Sequence, residues 1–228
     1  MTTAAQARQG LVDLTTLSRR ELFDLWATLM PLRRDHLRSA LEAALVDLGN
    51  QYGAAAAALA ADWYDELRDA AGVSGSFTAR PAELADEARW ASLVTWGTAP
   101  LFRDEPDPKA ALTLISGGMQ RTIADAHRLT IVESTQADPQ AVGWRRVGDG
   151  KNCGFCQMLI GRGHVYTESS VTFRSHDHCN CAAAPSFDPD AVTVSGEPFR
   201  QSQRRRSAAT KAKDNARAAD YIAEHYSE

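Results

Sequence analysis

"DGKNCGFCQMLIGRGHVYTESSVTFRSHDHCNCAAAPSF", residues 149–187, contains all four cysteines of the 228-residue chain and three of its six histidines. Cys153 and Cys156 form a CxxC pair with Gly154 between them, and the Gly161-Arg162-Gly163 turn follows. A CxxC loop lets two thiolates converge on one ion about 2.3 Å from each sulfur, and glycine tolerates the turn this needs. After a spacer come His176, Cys179 and Cys181 in "HDHCNC", with His178 beside them. Zinc takes four ligands. Cys153, Cys156, His176 and one of Cys179 or Cys181 make a structural set, and an all-cysteine set fits almost as well. On a strand Cys179 and Cys181 would face the same side, so spacing leaves the choice between them open.

Other chemistries meet obstacles. A redox CxxC expects a βαβ setting, and no such pattern surrounds this one. Oxidation to disulfides within an assembled particle stays open. The zinc deaminase signature needs a His-x-Glu glutamate, whereas the histidines here sit in His164-Val165-Tyr166 and His176-Asp177-His178. HExxH, Gly-rich phosphate loops and GxSxG are absent. A metal-dependent nuclease, with His176, Asp177 and His178 holding a catalytic ion, is the competing reading.

Around this stretch the chain changes grammar. Hydrophobic residues make up 44% and charged residues 24%, ordinary for a globular protein. The net charge of -4 gives no global attraction to nucleic acid or anionic lipid. No basic segment followed by an apolar run opens the chain, and no apolar run approaches a membrane span, so neither export nor membrane insertion is expected. A reducing cytoplasm is therefore expected before assembly, where clustered cysteines favour metal over disulfides.

Residues 1–136 read as successive helices. Ser18 and Glu21 have capping-box spacing ahead of Leu22, Leu25, Trp26 and Leu29. Pro31 should kink or restart the helix, and Leu37, Leu41, Leu45 and Leu48 then run to an expected stop at Gly49-Asn50. The alanine block 54–61 leads a second helix to Gly72. Pro81 is expected in the first turn of a third, carrying Trp90, Leu93 and Val94. Asp107 and Pro108 open a fourth, whose weak point should be Gly117-Gly118. Trp26, Trp63, Trp90 and Trp96 read as core or interface anchors. His36 and His127 read as ordinary surface or satisfied histidines.

Residues 137–190 carry short strand-like pieces, among them "HVYT" and "VTFRS", punctuated by Pro and Gly. They offer too little apolar area to fold alone. A structural ion worth on the order of 10 kcal/mol would replace the missing core. Residues 191–228 form a basic tail, partly helical. Between Arg200 and Arg217 seven Lys or Arg stand against one acid, Asp214. Arg200, Arg204, Arg205, Arg206, Lys211 and Lys213 are its candidate contacts to DNA phosphates or a protein partner. The fold class expected is α+β: a mainly α-helical N-terminal domain, a small zinc-stapled β module and a C-terminal basic helix.

"CGFCQMLIGRGHVYT" followed by "SHDHCNCAAAPSF" resembles the C-terminal signature of MuF-like phage minor head, or head morphogenesis, proteins of the actinobacteriophage type. The likeness covers roughly Trp144 to Phe187. It departs from the commoner HPxCRC wording at Asp177 and Asn180. The resemblance points to Cys153, Cys156, His176, Cys179 and Cys181 as the family's cysteines and histidine. It implies a non-enzymatic virion component inside the head near the portal, assisting head assembly and the packaging or ejection of DNA. Portal and capsid proteins would be its partners, with packaged DNA met through the tail and neither membrane nor small-molecule substrate involved. Residues 188–228 are expected to leave no room for the extra toxin or enzyme domain some members carry.

Overall fold

The computed structural model describes residues 4–149, 152–167, 173–179 and 181–194, together with 207–209, 212, 213, 216 and 220 of the tail. Four long helices dominate: α1 (Ala4–Leu29), α2 (Arg34–Ala71), α3 (Glu87–Thr98) and α4 (Pro108–Ala137), with a 3-10 turn at Ala99–Phe102 after α3. A small sheet follows, formed by β1 (Gly143–Val147), β2 (Val165–Tyr166), β3 (Ala182–Ser186) and β4 (Thr193–Val194), with the short helix α5 (Gly154–Gly161) between β1 and β2. Mostly helix with a small sheet is the architecture the sequence implies. Among the described residues no helix is long and apolar enough to cross a membrane.

The helix ends depart from expectation in instructive ways. Ser18 does not cap a helix. It lies inside α1, fully buried, and its hydroxyl donates back to the Thr15 carbonyl at 3.0 Å. Thr15 does the same to Leu11, so both hydroxyls are satisfied within the helix and no start is needed. Glu21 instead accepts from the Tyr52 hydroxyl of α2 at 2.7 Å. The chain does break after Leu29, in the turn that carries Pro31.

Gly49-Asn50 does not stop α2, which runs on to Ala71. A Cβ at Gly49 would lie 2.1 Å from Cζ2 of Trp90, so the glycine makes room for α3. The true stop is Gly72, left-handed at φ 63, whose N–H reaches the Asp69 carbonyl. Pro81 does not open a helix either. Residues 73–86 form an extended strap laid across the bundle, because the N–H of Ala79 is taken by Asp65 on α2 and that of Ala82 by Thr130 on α4. α3 starts later, where Asp86 accepts from the N–H of Arg89. Asp107 and Pro108 do open α4, the aspartate accepting from Ala110. Gly117-Gly118 leaves that helix unbroken. A Cβ at Gly118 would fall 2.2 Å from Leu93 of α3, and one at Gly117 would fall 2.6 Å from Nε2 of His178.

Two hydrophobic clusters hold the molecule. One joins Leu22, Trp26, Leu41, Leu45, Trp90, Ile115 and Met119 of the helices. The other runs from Ala60, Trp63, Tyr64, Ile131 and Val132 of α2 and α4 into Trp144, Tyr166, Phe173, Cys156, Cys179, Cys181, Ala183 and Ala184. The sheet therefore borrows its apolar floor from the helices. Its order is β3-β1-β2-β4, antiparallel except for the β2–β4 pair, with Arg146 opposite Ala183 and Trp144 opposite both Pro185 and Tyr166. Pro185 is tolerated because β3 is an edge strand. The small residues Ala182, Ala183 and Ala184 let that strand lie close against α4, and all three are buried. Trp96 is half-exposed and stands outside both clusters.

Candidate metal centre

The CxxC stretch is not a bare loop. Cys153 occupies the N-cap position of α5 and Cys156 lies in its first turn, one facing solvent and the other buried with Leu159. "FCQMLI" carries good helix formers and no breaker, which a reading centred on Gly154 underweighted. The second cluster comes from the segment before β3. His176 to Cys179 form a tight turn closed by the Cys179 N–H on the His176 carbonyl at 3.2 Å, with His178 left-handed at φ 61. "VTFRS" is no strand over its described part, Phe173 to Ser175. Phe173 instead points inward, its ring 5.4 Å from that of Trp144.

The five candidate ligands converge. Cys153 Sγ lies 3.0 Å from His176 Nε2, and Cys156 Sγ lies 3.7 Å from the same nitrogen. Cys156 Sγ is also 3.6 Å from Cys179 Sγ and 3.7 Å from Cys181 Sγ. Cys156 is thus shared by two groups that could hold an ion, Cys153–Cys156–His176 and Cys156–Cys179–Cys181. Two sulfurs on one tetrahedral zinc stand about 3.8 Å apart, so the edges through Cys156 suit such an ion. Cys179 and Cys181 are only 2.8 Å apart, too close for both to bind the same ion as they stand. The donor set suits a metal ion, and the ligand atoms stand as two groups of three joined at Cys156 rather than as one group of four.

Second contacts orient the ligands. His176 Nδ1 lies 2.7 Å from the Asp177 carbonyl, which can only accept, so Nδ1 carries the proton and Nε2 is left for the sulfurs. Burial lowers the pKa of this imidazole, but the carbonyl and Cys153 outweigh it and the net shift is upward. Burial raises the Cys153 thiol, yet the backbone of Cys156 and the His176 ring bring it below the usual thiol range. Deeper in, the bonds from Cys156 and Cys181 push the Cys179 thiol down, while the same contact with Cys179 pushes Cys156 up. Sulfurs packed this closely ease the loss of a proton from one of them, an arrangement suited to receiving a cation.

Sequence reasoning missed the basic groups around this cluster. Arg128 of α4 is fully buried and reaches the carbonyls of Cys179 and Cys181. Arg146 of β1 places Nη1 3.7 Å from Cys181 Sγ and its guanidinium 3.9 Å from the centre of the Phe173 ring. The only signal was an arginine embedded in the apolar stripe of α4. Asp177 forms an ion pair with Arg121 at 3.0 Å, and the His178 ring rests over Gly117. His176 thus turns to the cysteines while Asp177 and His178 both pack against α4 beside Gly117, and Asp177 and His178 join neither of the groups that could hold an ion. His127 is buried completely beside Trp63, with neither ring nitrogen hydrogen-bonded among the described residues. It is not a surface histidine, and no described residue satisfies its ring.

Of the tail candidates, Lys213 is exposed on a helical stretch, whereas Arg200, Arg204, Arg205, Arg206 and Lys211 lie outside the described residues. Compared with known proteins, the chain matches the family model described as VG15 protein over residues 1–209. No curated protein and no solved structure matches.

Proposed function

Because the chain belongs to the VG15 family, which marks it as a phage protein, we propose that it is a minor structural component of the virion head. It sits on the inner side near the portal, assists head assembly and takes no part in catalysis. The observation that carries this reading is the way the Cys/His cluster is built into the helical scaffold. Cys156, Cys179 and Cys181 are buried, and the surrounding arginines bind the loop rather than lining an open cleft. Such a centre suits a structural zinc held by Cys153, Cys156, His176 and one of Cys179 or Cys181. When bound, the ion would fix the sheet to the bundle and supply rigidity.

The helical face would dock on portal or capsid protein, and the basic tail would touch packaged DNA through phosphates without reading sequence. A nuclease built on His176, Asp177 and His178 gains no support from the placement of those side chains. The test is mass spectrometry of gradient-purified heads and procapsids, with a gene deletion alongside. The chain is expected in few copies per head, with heads malformed or poorly infectious without it. Its absence from both particles would overturn the assignment. For the tail, binding of the whole chain to duplex DNA should weaken steeply between 50 and 200 mM salt. An affinity that stays flat would remove the nucleic-acid contact.

A further inference from the structure

Arg128 is a cation with no exposed surface, and burying a guanidinium costs several kcal/mol unless its donors are met. Here each of the five N–H groups has an acceptor. Nε donates to the Cys181 carbonyl at 3.0 Å, and Nη2 donates to that same carbonyl at 2.8 Å and to the Cys179 carbonyl at 3.0 Å. Nη1 donates to Asp125 Oδ1 at 2.7 Å and to Ser175 Oγ at 2.8 Å. Ser175 in turn donates to Asp125 at 3.1 Å. One side chain of the helical scaffold thus grips the backbone carbonyls of both cysteines of the CxC pair and the hydroxyl of Ser175, the residue preceding His176.

We propose that Arg128 is the positioning residue of the thiol cluster: by fixing the carbonyls of Cys179 and Cys181 it turns both sulfurs toward Cys156 and sets the affinity of the centre for a divalent ion. The proposal rests on the metal reading of the cluster. Two features set it apart from ordinary core packing. The fork of a guanidinium matches two carbonyls two residues apart, which the three donors of a lysine ammonium cannot reproduce. The charge also lies where it compensates a thiolate-rich centre, alongside Arg146 at Cys181. Phe173 covers both guanidinium groups, with ring centres 4.9 Å from Arg128 and 3.9 Å from Arg146, and keeps water from competing for them.

The experiment is an anaerobic cobalt titration of the full chain, following the thiolate-to-cobalt absorption and the d–d bands, with affinities from chelator competition. Arg128→Lys should keep its helical circular dichroism but bind cobalt at least about tenfold more weakly, with altered d–d bands. Asp138→Asn, which weakens the fold at a distance from the cluster, should leave both readouts unchanged. An Arg128→Lys protein that matches wild type in affinity and spectrum would overturn the proposal. If that variant fails to fold, Ser175→Ala decides: a several-fold loss of affinity supports the role, and none removes it. A folded wild type that takes neither cobalt nor zinc sinks the metal reading itself, an outcome distinct from the other two.

Discussion

The six-membered ring of Trp90 fills the space that a side chain at Gly49 would need, with Cζ2, Cη2 and Cε2 all within 2.6 Å of where a Cβ would lie. Alanine in a helix interior is worth about 1 kcal/mol over glycine. Overpacking a closed core costs about 1–3 kcal/mol, and a rigid, fully buried indole cannot yield cheaply. Gly49→Ala should therefore destabilise by about 1–2 kcal/mol net. Gly117→Ala is its counterpart, since the atom it meets is the far end of the exposed His178 ring. That variant should stay within about 0.5 kcal/mol of wild type. Urea unfolding of both checks the pair, and equal losses would contradict the distinction.

This contrast explains much of what the sequence could not show about the fold. A glycine reads locally as a weak point or a stop, yet Gly49 and Gly118 lie inside long helices because α3 comes close to them. The need for small residues there is set by a partner distant in the chain. Ser18 and Pro81 misled for the same reason, their local signals overridden by the continuation of α1 and by backbone bonds to Asp65 and Thr130. Where the signal and its satisfaction are both local, as at Asp107-Pro108 and Gly72, the reading holds.

Asp138, just past α4, has a fully buried carboxylate that accepts from Arg68 Nε at 2.9 Å, from the Tyr64 hydroxyl at 3.1 Å and from the Gln140 N–H at 3.0 Å. Removing one member of such a network leaves a buried charge without its partner. Asp138→Ala should cost about 3–5 kcal/mol. The Arg89–Asp125 pair is 3.9 Å apart and open to solvent, so Arg89→Ala should cost well under 1 kcal/mol. Chemical unfolding of both variants compares them, and a loss below 1 kcal/mol for Asp138→Ala would show the network to be dispensable.

His127 makes the fold sensitive to acid. Burial first, and the neighbouring Arg128 charge second, lower its pKa from 6.5 to about 3. In the unfolded chain the ring takes up a proton below 6.5, while the folded chain refuses it until about 3. The unfolded state binds more protons across that window, so stability is whole above 6.5 and falls as the pH drops toward 3. At pH 4.5 the loss should be about 2–3 kcal/mol. Denaturant titrations at pH 7 and 4.5 test this on metal-free protein, which removes proton competition at the cysteines. His127→Leu should lose that much less, and an identical loss in both proteins would clear His127 of the effect.

The candidate site was legible in part. Cys153, Cys156, His176, Cys179 and Cys181 announce themselves because ligand chemistry demands rare residues at short spacing. Arg128 and Ser175 do not, since a guanidinium bonding carbonyls 51 and 53 positions away leaves no local pattern. Nor could spacing reveal that the sheet lies on α2 and α4, because the alanines of β3 carry no distinctive periodicity.

That placement changes what metal removal should do. A β module standing alone would unfold without its ion, as small zinc fingers do. Here Trp144 and Tyr166 are buried in one cluster with Trp63, Tyr64 and Ile131, and the other cluster, drawn from the helices and Ala182 of β3, contains none of the candidate ligands. Chelation should therefore leave far-UV circular dichroism nearly intact while lowering the thermal midpoint and shifting the near-UV signal of Trp144. Thiol reactivity should rise in order of exposure, with Cys153 modified first and the buried Cys156, Cys179 and Cys181 later. A disulfide-exchange reagent followed by peptide mapping, with calorimetry before and after chelation, measures each part. Complete loss of helix on chelation would mean that the ion holds the whole bundle, and unchanged reactivity and midpoint would mean that the cluster binds no metal.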